Sequence, residues 1–133
     1  MKLKTATITQ KVIIPASPEE VYDTFIDPKK HTAFTGAEAI CDPRIGGEFT
    51  AWDGYITGKN LELLPDKKIV QSWRYSDWPE GHYSKATFSF KAVAGETRLT
   101  FTQTGVPEEL RDDIAQGWRD YYWAPMKQAL EPR

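Results

Sequence analysis

Residues 108–130 have the sequence EELRDDIAQGWRDYYWAPMKQAL, and this stretch decides the fold. Glu108 and Glu109 stand in the first turn of a predicted helix, where the helix dipole favours carboxylates. Pro125 lacks a backbone donor, so we expect a kink or an irregular turn there. One face of the helix carries residues that recur at helical spacing: Leu110, Ile114, Gly117, Trp118, Tyr121, Tyr122, Ala129 and Leu130. A face this broad and aromatic needs a wide concave partner.

The upstream sequence supplies that partner as strands separated by turn residues. Alternating or β-branched and aromatic segments predict strands over residues 3–14, 47–52, 55–64, 68–75, 82–93 and 96–104. From Asp53-Gly54 to Ala94-Gly95 the joins have hairpin length, which favours antiparallel pairing. Gly105 and Pro107 are expected to end the last strand.

Two helix starts follow the first strand. Residues 17–20 (SPEE) combine a serine N-cap, a proline at the first helical position and a glutamate that completes a capping box. Asp27-Pro28 repeats the start signal, and this second helix is expected to run to about Phe34 and stop at Gly36. The sequence therefore predicts a single α+β domain over residues 1–133. It has a six-stranded curved antiparallel sheet around a long C-terminal helix, with two short helices between strands 1 and 2.

Composition limits the function. A hydrophobic fraction of 40% over 133 residues excludes a disordered chain and fits one domain. The net charge of −2 gives no reason to expect nucleic-acid binding, and no apolar run is long enough to predict membrane insertion. The start of the sequence lacks a signal-peptide pattern, and the lone Cys41 has no intramolecular partner, so we expect a cytoplasmic protein with an inert thiol.

The interior of the predicted sheet is rich in aromatic rings. Strand periodicity directs alternate side chains toward the helix, with polar Gln71 on the same face as Trp73. Such an interior is either a packed core or a cavity for a small hydrophobic molecule, and the sequence leaves both open. The candidate ligand-binding residues are Trp52, Trp73, Phe88, Phe90, Phe101, Trp118 and Tyr122, with Gln71 as the polar group.

Three stretches carry a resemblance to a known family. They are residues 55–74 (YITGKNLELLPDKKIVQSWR), residues 78–84 (WPEGHYS), and the end of the chain from Gly117-Trp118 through residues 121–123 (YYW) to Lys127. Together they resemble the C-terminal domain of the activators of heat-shock protein 90 ATPase and its stand-alone relatives. These belong to the START-like, helix-grip superfamily, also called SRPBCC. The resemblance implies a helix-grip fold, a hydrophobic cavity between sheet and helix, and contact with a chaperone of the heat-shock protein 90 class.

His82 is the best candidate for a reactive group, because it follows the Pro79-Glu80-Gly81 turn at a hairpin mouth. A structural role, capping that turn or packing on Trp78, is the favoured alternative. His31 lies beside two lysines and is expected to be solvated. With two histidines and one cysteine we expect no metal site, no cofactor and no catalytic nucleophile.

Three functions follow, in order of preference. The first is a non-enzymatic domain of the activator type that binds a small hydrophobic ligand between sheet and helix. The second is a co-chaperone-like regulator of a heat-shock protein 90 family ATPase; full-length activators carry a further N-terminal domain, for which we expect no room in 133 residues. The third is an enzyme resembling polyketide cyclases and dehydratases, for which His82, His31, Glu48 and the tyrosines are the available acids and bases.

Overall fold

The computed structural model describes residues 4–35, 39–42, 44–79 and 81–130. Three predicted features fall partly outside the described residues: the start of the first strand at residue 3, the stop of the second helix at residue 36, and the middle of the Pro79-Glu80-Gly81 turn at residue 80. The strands are β1 (Thr5–Ile14), β2 (Ile40–Cys41), β3 (Glu48–Ala51), β4 (Ile56–Leu64), β5 (Lys68–Tyr75), β6 (Ser84–Val93) and β7 (Glu96–Pro107). The helices are α1 (Pro18–Ile26), α2 (Pro28–Thr35), a 3₁₀ turn (Glu108–Leu110), α3 (Arg111–Trp118), a π-helical turn (Arg119–Trp123) and α4 (Ala124–Leu130).

The seven strands of the described chain form one antiparallel sheet in the order β1-β7-β6-β5-β4-β3-β2. Register shifts between Ala6 and Ile8 on β1, and between Asn60 and Glu62 on β4, mark bulges that increase the local twist. The C-terminal helix, residues 111–130, packs on one face of this sheet through Trp118, and α1 packs on the same face through Phe25. α2 contacts the C-terminal helix through His31 and Tyr122. The predicted α+β architecture is confirmed.

The number and limits of the strands differ from the prediction. The two-residue strand Ile40–Cys41 pairs with β3 and makes seven strands instead of six. β6 begins at Ser84, not at residue 82, because the His82 N–H closes a turn onto the Pro79 carbonyl at 3.0 Å. β7 continues through Gly105, which adopts φ 78° at the bulge opposite β1, and still pairs at Pro107.

The irregularity of the C-terminal helix lies just before Pro125. The Ala124 N–H bonds to the Arg119 carbonyl, five residues back, which is the π-helical pattern. Since Pro125 has no N–H to offer the Tyr121 carbonyl, this wider turn is compatible with it. The extra residue also changes which side chains face the sheet. Trp123 is buried, whereas Tyr121, which the periodicity placed on the apolar face, is 59% exposed.

Trp118 lies at the centre of the core. Its indole is 2% exposed and packs against rings from three strands and from its own helix. The ring centroids lie 4.3 Å away for Phe101, 4.9 Å for Trp73 and 4.6 Å for Tyr122. Its Nε1 donates to Gln103 Oε1 at 2.9 Å, so the one polar atom of the ring is satisfied inside the core. No helix in the described residues is long and apolar enough to cross a membrane.

Candidate functional site

An open, aromatic groove of about 380 Å³ lies at one end of the sheet–helix layer. It is bounded by the β3–β4 turn, the β5–β6 connection, the 3₁₀ turn and the first three turns of the C-terminal helix. The lining is predominantly aromatic: Trp52, Tyr55, Ile56, Tyr75, Asp77, Trp78, Leu110, Asp113, Ile114, Gly117, Trp118, Tyr121 and Tyr122. Its volume falls within the usual range of small-molecule sites, roughly 300–1,000 Å³.

The strand side of the groove is a small stack of rings. Tyr75 and Trp78 are nearly parallel, with centroids 5.0 Å apart, and Tyr55 meets Tyr75 edge-on at 5.4 Å. The Tyr55 hydroxyl donates to Asp77 Oδ1 at 3.1 Å. Arg74 Nη2 donates to the Trp78 carbonyl at 2.6 Å, which fixes the connection after β5. This wall is therefore held by both ring packing and hydrogen bonds.

Trp52 closes the groove from the β3–β4 turn. Its backbone has φ 54°, a conformation that bulky residues rarely adopt, and Asp53 follows with φ 58°. The turn directs the half-buried indole toward the helix, where Nε1 donates to the Tyr122 hydroxyl at 3.1 Å. The Tyr121 ring lies edge-on to the Trp52 indole at 5.6 Å. The strained turn thus positions a groove residue.

The helix side leaves an open space at Gly117. A Cβ built at this position would have only Tyr121 Cδ2 within 4 Å among the described neighbours, at 3.8 Å. Ile114 and Trp118 flank it as buried residues, and Tyr121 lies one turn further along. The glycine therefore enlarges the groove without being required by close backbone packing.

The predicted ligand-binding residues divide into two groups. Trp52, Trp118 and Tyr122 line the groove. The other aromatic candidates lie in the packed core: Trp73, Phe88 and Phe101 are at most 2% exposed, and Phe90 packs against α1 through Phe25. The void beside Gln71 and Trp73 holds only about 10 Å³. The centre of the sheet–helix layer is thus filled, and the open volume lies at its end.

The two polar candidates already have partners. Gln71 Oε1 accepts from Trp73 Nε1 at 2.8 Å, and Gln71 Nε2 donates to Asn60 Oδ1 at 2.9 Å. His82 lies outside the groove, half-buried, with Nε2 2.8 Å from the Gly105 carbonyl and its ring 5.6 Å from Trp78. These contacts join β5 to β4 and the β5–β6 connection to β7.

His31 is buried, so the expectation that it is solvated was wrong. It is 6% exposed, because α2 packs against the C-terminal helix, and burial lowers its pKa to about 4. Nε2 lies 3.3 Å from the Tyr122 hydroxyl. Burial also raises the pKa of the Tyr122 phenol far above its usual value. Both groups are therefore neutral near pH 7.

Ten of the groove residues were not among the ligand-binding candidates of the sequence analysis. Most lie on turns or on the first helical turns, where strand periodicity carries no information. Two signals were available: the Asp53-Gly54 turn and the WPEGH segment both place aromatic residues beside surface turns.

Within the described ranges, no group of three or more His, Cys, Asp and Glu side chains could hold a metal ion. Burial raises the pKa of the Cys41 thiol.

Comparison with known proteins assigns the family. The family model described as "Activator of Hsp90 ATPase homolog 1-like protein" matches residues 15–131. The chain belongs to this family. Among curated members, the activator of 90 kDa heat shock protein ATPase homolog 1 of Homo sapiens is 38% identical over 130 residues. The corresponding homolog of Dictyostelium discoideum is 35% identical over 120 residues. This activator-family chain covers 38% and 31% of the lengths of those two relatives.

Solved structures give the same fold for this activator-family chain. An HSP90 activator from Plasmodium falciparum superposes with a TM-score of 0.87 at 26% identity, covering 93% of this chain and 95% of that one. A protein from Chromobacterium violaceum superposes with a TM-score of 0.79 at 25% identity, covering 96% and 98%. The chain therefore has the helix-grip fold that the resemblance implied, with seven strands.

Proposed function

We propose that this activator-family chain is a non-enzymatic binding domain that holds a small, largely apolar molecule in the end groove. The observation that supports the proposal is the open, aromatic volume of about 380 Å³ between Trp52, Trp78 and Trp118. Transfer of apolar ligand surface out of water contributes roughly 25 cal/mol per Å², so such a lining can supply useful affinity without many polar contacts.

The groove is a better candidate than the interior between sheet and helix. The interior polar groups bond to one another, as Gln103 shows: it accepts from Trp118 and donates to Ser84 Oγ at 2.8 Å. A ligand entering there would have to separate closely packed rings. The groove, in contrast, accepts a ligand without rearrangement of the core.

The histidine contacts favour binding over catalysis. His31 is buried beside Tyr122, and His82, whose Nε2 lies 2.8 Å from the Gly105 carbonyl, is not among the residues that line the groove. Glu48, the third candidate acid or base, is exposed and lines a different depression, on the outer face of β3–β5. Acid–base chemistry needs a positioned pair near the substrate. The groove residues Tyr55 and Tyr75 keep their protons near neutral pH, because burial raises the pKa of both, and the Tyr55 hydroxyl is already bonded to Asp77. We accordingly infer a non-enzymatic role. We also propose a cytoplasmic location, which the single cysteine, Cys41, supports.

A second candidate function is regulation of a heat-shock protein 90 family ATPase, which the family assignment favours. The relatives are named as activators of that ATPase. The test is the ATP hydrolysis rate of a heat-shock protein 90 chaperone from the same source with increasing amounts of the purified chain. An increase supports regulation, and an unchanged rate in the presence of demonstrated binding contradicts activation by this chain alone.

The binding proposal is tested by filling the groove. Gly117→Leu places a branched side chain into the open space beside Tyr121, and leucine is a better helix former than glycine. The matched control is Gln116→Leu, which adds the same side chain at an exposed neighbour outside the groove lining. Amide chemical shifts are recorded while naphthylethanol, a neutral aromatic probe, is added.

We expect shifts at Trp52, Trp78 and Gly117 in the unmodified protein, and at Trp52 and Trp78 in Gln116→Leu. In Gly117→Leu the apparent affinity should fall by about tenfold or more, because the leucine side chain occupies space that the probe would fill. A tenfold loss of affinity corresponds to roughly 1.4 kcal/mol of binding free energy. Equal affinity of Gly117→Leu and the unmodified protein would show that the probe binds elsewhere and would overturn the proposal.

A further inference from the structure

The charged side chains of the groove have one sign. Asp77 and Asp113 line it, and no lysine, arginine or histidine does so among the described lining residues. Asp77 lies in the connection after β5, whereas Asp113 lies in the first turn of α3, so two separate elements contribute the carboxylates. Neither forms an ion pair with another described residue. The Asp77 hydrogen bond comes from the neutral Tyr55 phenol, which does not balance the charge.

The surroundings increase the negative charge at this end of the molecule. Glu108 and Glu109 lie in the 3₁₀ turn that precedes the C-terminal helix. The positive end of the helix dipole opposes them, but it amounts to about half an elementary charge and faces several carboxylates. Arg111 Nη2 forms an ion pair with Asp112 Oδ1 at 3.3 Å, so these two charges balance each other. The Arg74 guanidinium donates to the Trp78 carbonyl. The groove is therefore a site of negative potential.

The aromatic rings that line the groove also favour a positively charged ligand. The faces of aromatic rings attract cations, and the attraction is stronger where water is excluded. Trp52, Tyr55 and Tyr121 border the opening and are half-buried or exposed, so their rings are accessible to a ligand. Carboxylates and ring faces favour the same charge. An anionic ligand would meet repulsion from both.

Building on the proposed function, we propose that the groove selects organic cations: small molecules with a protonated or quaternary amine on an apolar, ring-bearing body. The amine faces Asp77 and Asp113, and the body packs on Trp52, Trp78 and Trp118. The volume of about 380 Å³ suits such a molecule, and the charge of the lining supplies the selectivity that apolar burial alone lacks.

The test uses three probes with one ring system and different charges: naphthylethylamine as the cation, naphthylethanol as the neutral form and naphthylacetate as the anion. Dissociation constants are measured by calorimetry at neutral pH and low salt. We expect the amine to bind about tenfold more tightly than the alcohol, from about 1.4 kcal/mol of combined ion-pair and cation–π attraction. The acetate should bind most weakly, and added salt should narrow the differences.

Charge removal identifies the residues responsible. In the double variant Asp77→Asn, Asp113→Asn, the amine should lose most of its advantage, while the alcohol keeps its affinity within about twofold. Asparagine retains an acceptor for the Tyr55 hydroxyl, so the turn is preserved. The control Asp112→Asn removes one carboxylate, at the helix position next to Asp113 but outside the groove lining, and should preserve the preference for the amine.

The outcomes separate the two proposals. Equal affinities for amine and alcohol, or tightest binding of the acetate, would overturn the charge selectivity and leave the proposed groove function standing. Loss of the preference in Asp112→Asn to the same extent as in the double variant would show a general surface charge effect and would also overturn it. No binding of any of the three probes would overturn the groove function, and the selectivity with it.

Discussion

The Tyr122 hydroxyl lies 3.3 Å from Nε2 of His31, inside the protein. The same hydroxyl accepts from the Trp52 indole at 3.1 Å. One buried chain of polar atoms thus joins α2, the C-terminal helix and the strained β3–β4 turn. Burial keeps the His31 imidazole neutral near pH 7, and this chain of contacts positions Trp52 and Tyr122, two residues of the groove.

The first prediction is that His31 makes the fold sensitive to mild acid. Burial lowers its pKa in the folded state to about 4, from an ordinary value of 6.5. Between these two values the unfolded chain binds a proton that the folded chain does not, so stability falls as the pH falls. Above pH 6.5 the shifted pKa of His31 should leave the unfolding free energy unchanged. By pH 4 it should have lowered that free energy by about 3 kcal/mol. Urea denaturation at a series of pH values measures this loss.

The variant His31→Gln provides the comparison. Glutamine does not titrate and offers an acceptor for the Tyr122 hydroxyl, so the variant should be less stable near neutral pH but show a shallower loss between pH 6.5 and 4. Carboxylates contribute equally to both proteins and cancel in the difference. Parallel stability curves for the two proteins would contradict a buried, neutral His31.

The second prediction concerns Trp118. Trp118→Ala should cost about 3–5 kcal/mol of unfolding free energy, because it removes the central ring of the core. Trp118→Phe should cost less, since a ring remains against Phe101 and Trp73, but it leaves Gln103 Oε1 without its indole donor. Thermal and denaturant unfolding of both variants check the order. A phenylalanine variant as unstable as the alanine one would show that the hydrogen bond, not the ring, dominates.

The sheet and the long helix could be predicted because both bury one face, and burial leaves a period in the sequence. The exchange of Tyr121 and Trp123 shows the limit of that argument. A π-helical turn inserts one extra residue, which rotates the following positions by about 100° relative to a regular helix. The period before the turn therefore assigned Tyr121 to the core, and the structure places Trp123 there instead.

The groove could be predicted only in part, because turn geometry creates it. Trp52 reaches the helix through a backbone with φ 54°, which no strand pattern indicates. His31 was missed for a related reason: α2 is short and weakly amphipathic, and its burial depends on the approach of the C-terminal helix. Trp118 was a candidate because it is central to the helix period, and the structure places it at the border of the groove.

The third prediction contrasts two glycines. Gly117→Ala should stabilise the protein by about 1 kcal/mol, because the site is helical and a Cβ has room there. Gly58→Ala should cost about 3 kcal/mol or more: its Cβ would overlap the Ser72 carbonyl and lie 2.7 Å from the Phe49 ring. Thermal unfolding of the two alanine variants tests the contrast. A tolerated alanine at residue 58 would mean that β4 and β5 separate easily.

The fourth prediction concerns Gln10, which joins β1 to the C-terminal helix. Its Oε1 accepts from Trp123 Nε1 at 2.6 Å, and its Nε2 donates to the Ala115 carbonyl at 2.9 Å. Gln10→Leu keeps the bulk but leaves the buried Trp123 N–H without an acceptor, which should cost about 1–3 kcal/mol. The control Lys11→Leu changes the exposed neighbour on β1 and should cost less than about 0.5 kcal/mol.

The indole proton of Trp123 gives an independent measurement of the same contact. In the unmodified protein its nuclear magnetic resonance signal should exchange slowly with water, because the bond to Gln10 is buried. In Gln10→Leu that signal should shift upfield and exchange faster, while the Trp118 indole, bonded to Gln103, keeps its position. Equal stabilities of the Gln10 and Lys11 variants, with an unchanged Trp123 signal, would contradict the role of Gln10. The π-helical turn would then be held by ring packing alone.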